Sequence, residues 1–191
     1  MTRVLAWLCA AMTILAAGHA RAESFDSRDV MGGGPNFRGG GYGASPISRS
    51  TVSFPANYSP GTIIINTGER RLYLVLANGQ ALSYGIGVGR DGFRWSGTHR
   101  ITAKKEWPAW TPPSQMLRRR PDLPHHMPGG VENPLGARAM YLGSTLYRIH
   151  GSNEPETIGQ AVSSGCFRMT NEDVADLYGR VSVGTTVIVK N

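Results

Sequence analysis

Two reactive side chains stand near each other late in this sequence. His150 closes the run Tyr147-Arg148-Ile149-His150-Gly151, and 16 residues further on Cys166 sits in Ser163-Ser164-Gly165-Cys166-Phe167-Arg168. A free thiol with a pKa of about 8.5 is only slightly ionised at neutral pH, so a nucleophilic cysteine needs a base or a positive field beside it. Imidazole is the side chain best suited to supply the base. Taken alone, a histidine is more often structural and a cysteine more often a small buried hydrophobe, so the neighbourhood must decide. Gly165 lets a substrate approach the backbone closely, and N–H groups at Ser164 and Gly165 can face a developing oxyanion, an effect worth about 2.7–4 kcal/mol per donor. Gly151 opens the chain directly after the base. Arg168 can hold a substrate carboxylate or brace the turn through carbonyl oxygens, and Ser163 suits bracing better than reaction.

Several elements must position this pair. An apolar alternation over 146–150 predicts a strand with Leu146, Arg148 and His150 on one face and Tyr147 and Ile149 on the other. Further strands are expected near 62–66, 70–76, 81–88, 100–104, 139–142 and 186–189, and Asn78-Gly79 predicts a two-residue hairpin. One helix is predicted after Thr170 or Asn171, with Glu172 and Asp173 at its positive end, Val174, Leu177 and Tyr178 on one face, and Gly179 as its stop. Cys166 therefore lies just upstream of a helix N-terminus, which favours negative charge. Residues 107–135 carry Pro108, Pro112, Pro113, Pro121, Pro124, Pro128 and Pro134 and predict a long irregular loop of the kind that forms lids or walls. The domain is expected to be mainly β.

Residues 1–22 have the three parts of a secretory signal: Arg3, an apolar run over 4–17, and Ala20-Arg21-Ala22 as a small-x-small cleavage site. The run is short for a spanning helix, so no membrane span is expected after cleavage. Cys9 falls inside the signal, which leaves Cys166 alone in the mature chain and hence a candidate reactive thiol in an oxidising compartment. Residues 23–57, rich in glycine, serine, proline and arginine, predict a flexible tether, and 58–191 the folded domain. The formal charge of +7 falls to +5 once Arg3 and Arg21 leave. A basic exported protein suits an anionic polymer or surface, and export argues against nucleic acid.

Together these residues resemble the L,D-transpeptidase catalytic domain (YkuD-like). Its signature is a histidine followed by Ser-x-Gly-Cys-x-Arg, present as His150, Ser163, Gly165, Cys166 and Arg168. Val88-Gly89-Arg90, the stretch 107–113, Asn133 to Arg138, Ile158-Gly159 and Asn171 to Val174 look like an exported subgroup, and the likeness covers about 58–191. It implies a mixed-sheet, β-sandwich or barrel-like fold with one or two short helices and a long proline-rich loop. It also implies a covalent reaction needing no cofactor: the thiolate of Cys166 attacks the third-residue carbonyl of a peptidoglycan stem tetrapeptide, expels D-alanine, and passes the acyl group to an amine. That amine belongs to another stem peptide, an outer-membrane or other envelope protein, or a free D-amino acid. Periplasmic location and acylation by carbapenems are further implications. Two departures stand out: Ser164 replaces a histidine found in many members, and Gly151 replaces a serine found in some.

Other readings are weaker. A peptidase of the NlpC/P60 type has cysteine before histidine, and a sortase separates the two much further. An L,D-carboxypeptidase on the same fold and a non-catalytic wall-binding module stay open as alternatives. His125-His126 lacks an accompanying Asp, Glu or Cys ligand pattern, so no metal is expected. Arg118-Arg119-Arg120 reads as a solvated run, and Trp107 and Trp110 as groove or core residues.

Overall fold

The alternating segments become eleven strands in a computed structural model, which describes residues 45–191. In chain order these are β1 (Ser50–Ser53), β2 (Ile63–Asn66), β3 (Arg71–Val75), β4 (Gln80–Gly85), β5 (Val88–Gly89), β6 (Gly97–Glu106), β7 (Arg138–Leu142), β8 (Arg148–His150), β9 (Ala161–Ser163), β10 (Phe167–Arg168) and β11 (Thr186–Lys190). Two helices join them, α1 (Ser114–Arg119) and α2 (Asn171–Arg180). Nine strands pair in the order β1-β4-β3-β2-β11-β6-β7-β8-β10, and β5 pairs with β9. The sheet is mixed, as expected: β2 with β11 and β8 with β10 are parallel, while the other neighbours are antiparallel.

Local chemistry explains the pairing. Asn78 and Gly79 take φ of 60° and 67°, the left-handed pair that a tight hairpin between β3 and β4 demands. Ile63, Ile65, Leu72, Leu74, Val187 and Val189 bury one face of β2, β3 and β11. The sheet turns over this core at β6, whose first half pairs with β11 and second half with β7, with an irregularity between Ile101 and Ala103. Such bulges sharpen twist locally, so one long strand serves two directions of sheet. Met140, Ile149, Phe167, Val174 and Leu177 complete the same core, so β7, β8, β10 and α2 are held by side chains each worth about 1.5–3 kcal/mol when fully buried.

Helix α2 begins where expected, with Thr170 Oγ1 accepting the Asp173 N–H at 3.2 Å. It does not stop at Gly179 but runs to Arg180. Lys104 Nζ donates to the carbonyls of Tyr178 at 2.6 Å and Val181 at 2.5 Å, so a neighbouring strand's ammonium ends the helix in place of the glycine.

The N-terminal boundary also differs from expectation. Residues 50–53, read as part of a flexible tether, form β1 and pair antiparallel with β4 from Ser50 opposite Ser83 to Ser53 opposite Gln80. Ile47 lies against Gly85, where a Cβ would come within 2.5 Å of it, so the ordered fold starts before residue 58. The expected signal and the glycine runs lie outside the described residues.

Candidate active site

β8 and β10 run in parallel with Phe167 opposite Ile149 and Arg168 opposite His150. Because side chains alternate, His150 and Arg168 share a face, and two residues back along each chain Arg148 and Cys166 share it too. The Met169 N–H donates to the His150 carbonyl at 2.8 Å and the Gly151 N–H to the Arg138 carbonyl at 3.0 Å, which fixes the histidine backbone. His150 Nδ1 lies 2.6 Å from the Gly151 carbonyl oxygen. A carbonyl only accepts, so Nδ1 carries the hydrogen and Nε2 keeps its lone pair. His150 is thus held in the Nδ1–H tautomer.

Both members of the pair are buried, His150 to 3% exposure and Cys166 to 4%. Burial pushes the His150 pKa down to about 3, the charges of Arg168 and Arg148 add to that fall, and the hydrogen bond to Gly151 opposes it. Burial also pushes the Cys166 thiol up, against the charges of Arg148 and Arg168. Burial therefore favours the neutral imidazole at His150 and the neutral thiol at Cys166. The sequence predicts a positive field from the α2 N-terminus; the charges acting on Cys166 are those of Arg148 and Arg168, and desolvation outweighs them.

The cover is the proline-rich loop. Cys166 packs with Trp110, Met116, Leu123 and Leu135 in a second apolar cluster. Trp110 and Met127 exchange backbone hydrogen bonds at 2.8 Å, folding the loop on itself around α1. At its base Asn133 donates to the Pro128 carbonyl at 2.9 Å and accepts the Leu135 N–H at 2.9 Å. Next to Cys166 in the chain, the Gly165 carbonyl accepts from Trp95 Nε1 at 2.8 Å, and the Trp95 ring stacks on Tyr147 at 4.5 Å.

The turn before Cys166 is tightly determined. Gly165 has φ of 103°, and a Cβ there would lie 2.6 Å from Tyr147 and 3.2 Å from Trp95. The Ser163 hydroxyl donates to the Cys166 carbonyl at 2.6 Å and accepts the Gly165 N–H at 3.2 Å. Ser163 thus braces the turn. Arg168 is 1% exposed and pairs with buried Glu154 at 3.5 Å, a bracing geometry that leaves little room for a substrate carboxylate.

The model of the YkuD family, described as the L,D-transpeptidase catalytic domain, matches residues 60–189. The chain belongs to that family. It is 39% identical over 134 residues to a probable L,D-transpeptidase of Escherichia coli K12, YbiS, covering 65% of this chain and 43% of the relative. A solved protein from Brucella melitensis, described as a probable carnitine operon oxidoreductase, is 46% identical with a TM-score of 0.53, covering 74% of this chain and 92% of that one. An L,D-transpeptidase from Mycobacterium smegmatis shares the fold at 18% identity and a TM-score of 0.55, over 68% of this chain and 58% of that one. The chain spans less than half the length of the Escherichia coli relatives it matches.

Within this YkuD domain the residues singled out from sequence fall into one neighbourhood. His150, Gly151, Ser163, Ser164, Gly165, Cys166 and Arg168 are all buried, at the end of β8 and the residue after it, the end of β9, the turn that follows, and β10. Gly151 is required sterically, since a Cβ there would meet Asn171 Oδ1 at 2.3 Å, the atom that accepts the Ala137 N–H at 2.8 Å. Of the other residues weighed, Trp110 covers Cys166, whereas His125 and His126 are exposed and His126 meets Thr111 Oγ1 at 3.2 Å. Arg120 pairs with Asp122. Three residues of the neighbourhood were not named as site candidates: Trp95, Glu154 and Arg148. Alternation along 146–150 placed Arg148 beside His150 and was the available signal for it. Among the described residues no helix is long and apolar enough to cross a membrane.

Proposed function

We propose that the protein is a peptidoglycan L,D-transpeptidase in which Cys166 is the nucleophile and His150 the base. The observation that supports the reading is His150 held through Nδ1 by the Gly151 carbonyl, which leaves Nε2 its lone pair, on a strand paired in parallel with the one that follows directly from Cys166. As the thiol attacks the third-residue carbonyl of a stem tetrapeptide, its proton passes to Nε2. A C–S bond forms, and the carbonyl oxygen takes the charge. The intermediate then collapses, the C–N bond to D-alanine breaks, and the imidazolium protonates the departing amine. An acceptor amine reverses the sequence on the thioester, giving either a cross-link between stem peptides or attachment of an envelope protein.

The neutral resting pair suits this order of events, because proton transfer accompanies attack and no ion pair need persist in the buried site. The Gly165 N–H is engaged by Ser163 at rest, so we assign the oxyanion chiefly to the neighbouring Cys166 amide, with Gly165 joining as the turn adjusts. The same chemistry places the protein at the peptidoglycan, and the sequence expectation of export places it in the periplasm. The loop over Cys166 must lift for a peptide to enter.

Incubating the purified protein with tetrapeptide muropeptides and analysing products by mass spectrometry tests this reading. Cross-linked dimers with loss of D-alanine are expected. Tripeptides alone would identify an L,D-carboxypeptidase, and unchanged substrate would leave a wall-binding module. A carbapenem is expected to add one drug mass to the wild type and none to Cys166→Ala.

A further inference from the structure

We propose that Arg148 binds the carboxylate of the residue that leaves, and so selects donor peptides that end one residue beyond the attacked carbonyl. This inference rests on the acyl-transfer reading above. Arg148 lies two residues before His150 on β8 and, by continuation of the parallel register, beside Cys166 on the same face. Arg148 Nη1 donates to the Leu146 carbonyl at 3.2 Å, and Cys166 Sγ approaches that same oxygen at 3.8 Å. One atom thus ties the guanidinium and the nucleophile together.

The other arginines near the core have carboxylates. Arg168 has Glu154, Arg138 has Glu106, Arg180 has Asp176, and Arg49 has Asp173 and Asp176. Arg148 forms no ion pair among the described residues. Its Nε is buried without a hydrogen-bond partner, and its guanidinium faces the Tyr141 ring at 5.1 Å. A half-buried guanidinium with an unsatisfied donor and no carboxylate, next to Cys166, suits an anion that reaches it when the site opens. In the donor peptide the leaving residue carries its carboxylate carbon roughly 3–4 Å beyond the attacked carbon, comparable with the roughly 4.8 Å between adjacent strands that separates Cys166 from Arg148. Arg168 is too deeply paired to do the same work.

A planar fork meets a carboxylate through two charge-assisted bonds, whereas an amide offers neither charge nor a second acceptor. The wild type should therefore prefer a tetrapeptide with a free terminal carboxylate over its C-terminal amide by about tenfold to a hundredfold in kcat/KM, measured as release of D-alanine or D-alaninamide. Arg148→Gln should bring that ratio to within about twofold, and Arg148→Lys should keep an intermediate ratio. Using the ratio within each variant removes any effect of the charge on the thiol itself, since both donors meet the same cysteine. A wild type active on both donors without preference would overturn the proposal, as would an unchanged preference in Arg148→Gln. Should the glutamine variant not fold, the wild-type and lysine ratios decide the matter. A wild type inert toward both donors would instead overturn the transpeptidase reading and this proposal with it.

Discussion

Acid should destabilise this protein through one histidine. The folded-state pKa of His150 is pushed down to about 3, chiefly by burial, whereas an unfolded histidine titrates near about 6.5. Above that value the imidazole is neutral in both states and adds no pH dependence. Below it the unfolded chain binds a proton that the native pocket refuses, so stability falls by about 1.4 kcal/mol per pH unit until the folded value is reached. Between about pH 7.5 and about pH 4.5 the loss from His150 is about 2–3 kcal/mol. Urea unfolding of the wild type and of His150→Gln, followed by tryptophan fluorescence at both pH values, isolates this contribution because all other titrating groups are common to the two proteins. The wild type should lose about 2–3 kcal/mol more than the variant on acidification. Equal losses would mean that the imidazole is solvated and that the loop does not seal the site. If His150 is the base, it stays neutral across the physiological range, and the acid limb of kcat/KM should lie near pH 3, far below the value of a free imidazole.

Other perturbations have expected outcomes. Cys166→Ala removes the proposed nucleophile but little volume, so acyl transfer should vanish while thermal unfolding stays within a few degrees of wild type. Gly165→Ala forces a side chain into a left-handed backbone against Tyr147 and Trp95, and should cost about 2–4 kcal/mol in chemical denaturation together with most activity. Glu154→Gln leaves buried Arg168 without its carboxylate and should destabilise by about 3–5 kcal/mol, which differential scanning calorimetry would register. A chain starting at residue 45 should fold normally, whereas one starting at residue 56 lacks β1, exposes the edge of β4 and should melt about 5 °C lower or more.

The parts of this fold that were legible are those set by neighbouring residues. Asn78-Gly79 announces its hairpin because both residues must take positive φ, and Thr170 announces α2 because its hydroxyl serves an amide three positions on. β1 was not legible. Ser50-Thr51-Val52-Ser53 holds one apolar side chain, and its stability as a strand comes from β4, some thirty residues away. The end of α2 was misplaced for the same reason, since Lys104 reaches the helix from β6. Local patterns specify local structure, and distant partners can overrule them.

The site divides along the same line, and the division bears on mechanism. The spacing of His150 and Cys166 and the glycine between Ser164 and Cys166 were visible because turn geometry and reactivity both depend on adjacent residue types. The ionisation of the pair was not visible, because it depends on what lies above it. Trp110, Met116, Leu123 and Leu135 come from a loop more than thirty residues upstream and exclude the water that would stabilise a thiolate. Sequence therefore suggested a thiol poised by nearby charge, while the structure has one kept neutral by its cover. If that cover sets reactivity, Leu123→Ser should speed alkylation of Cys166 by iodoacetamide at neutral pH in the free protein, since a polar, smaller side chain loosens the apolar seal at 4% exposure of the thiol. Lifting the loop hydrates the cysteine and lets the charges of Arg148 and Arg168 act on it with less opposition from burial. Alkylation rates that matched the wild type across pH would show that the loop only shapes the cleft and that the thiol is governed by β8 and β10 alone.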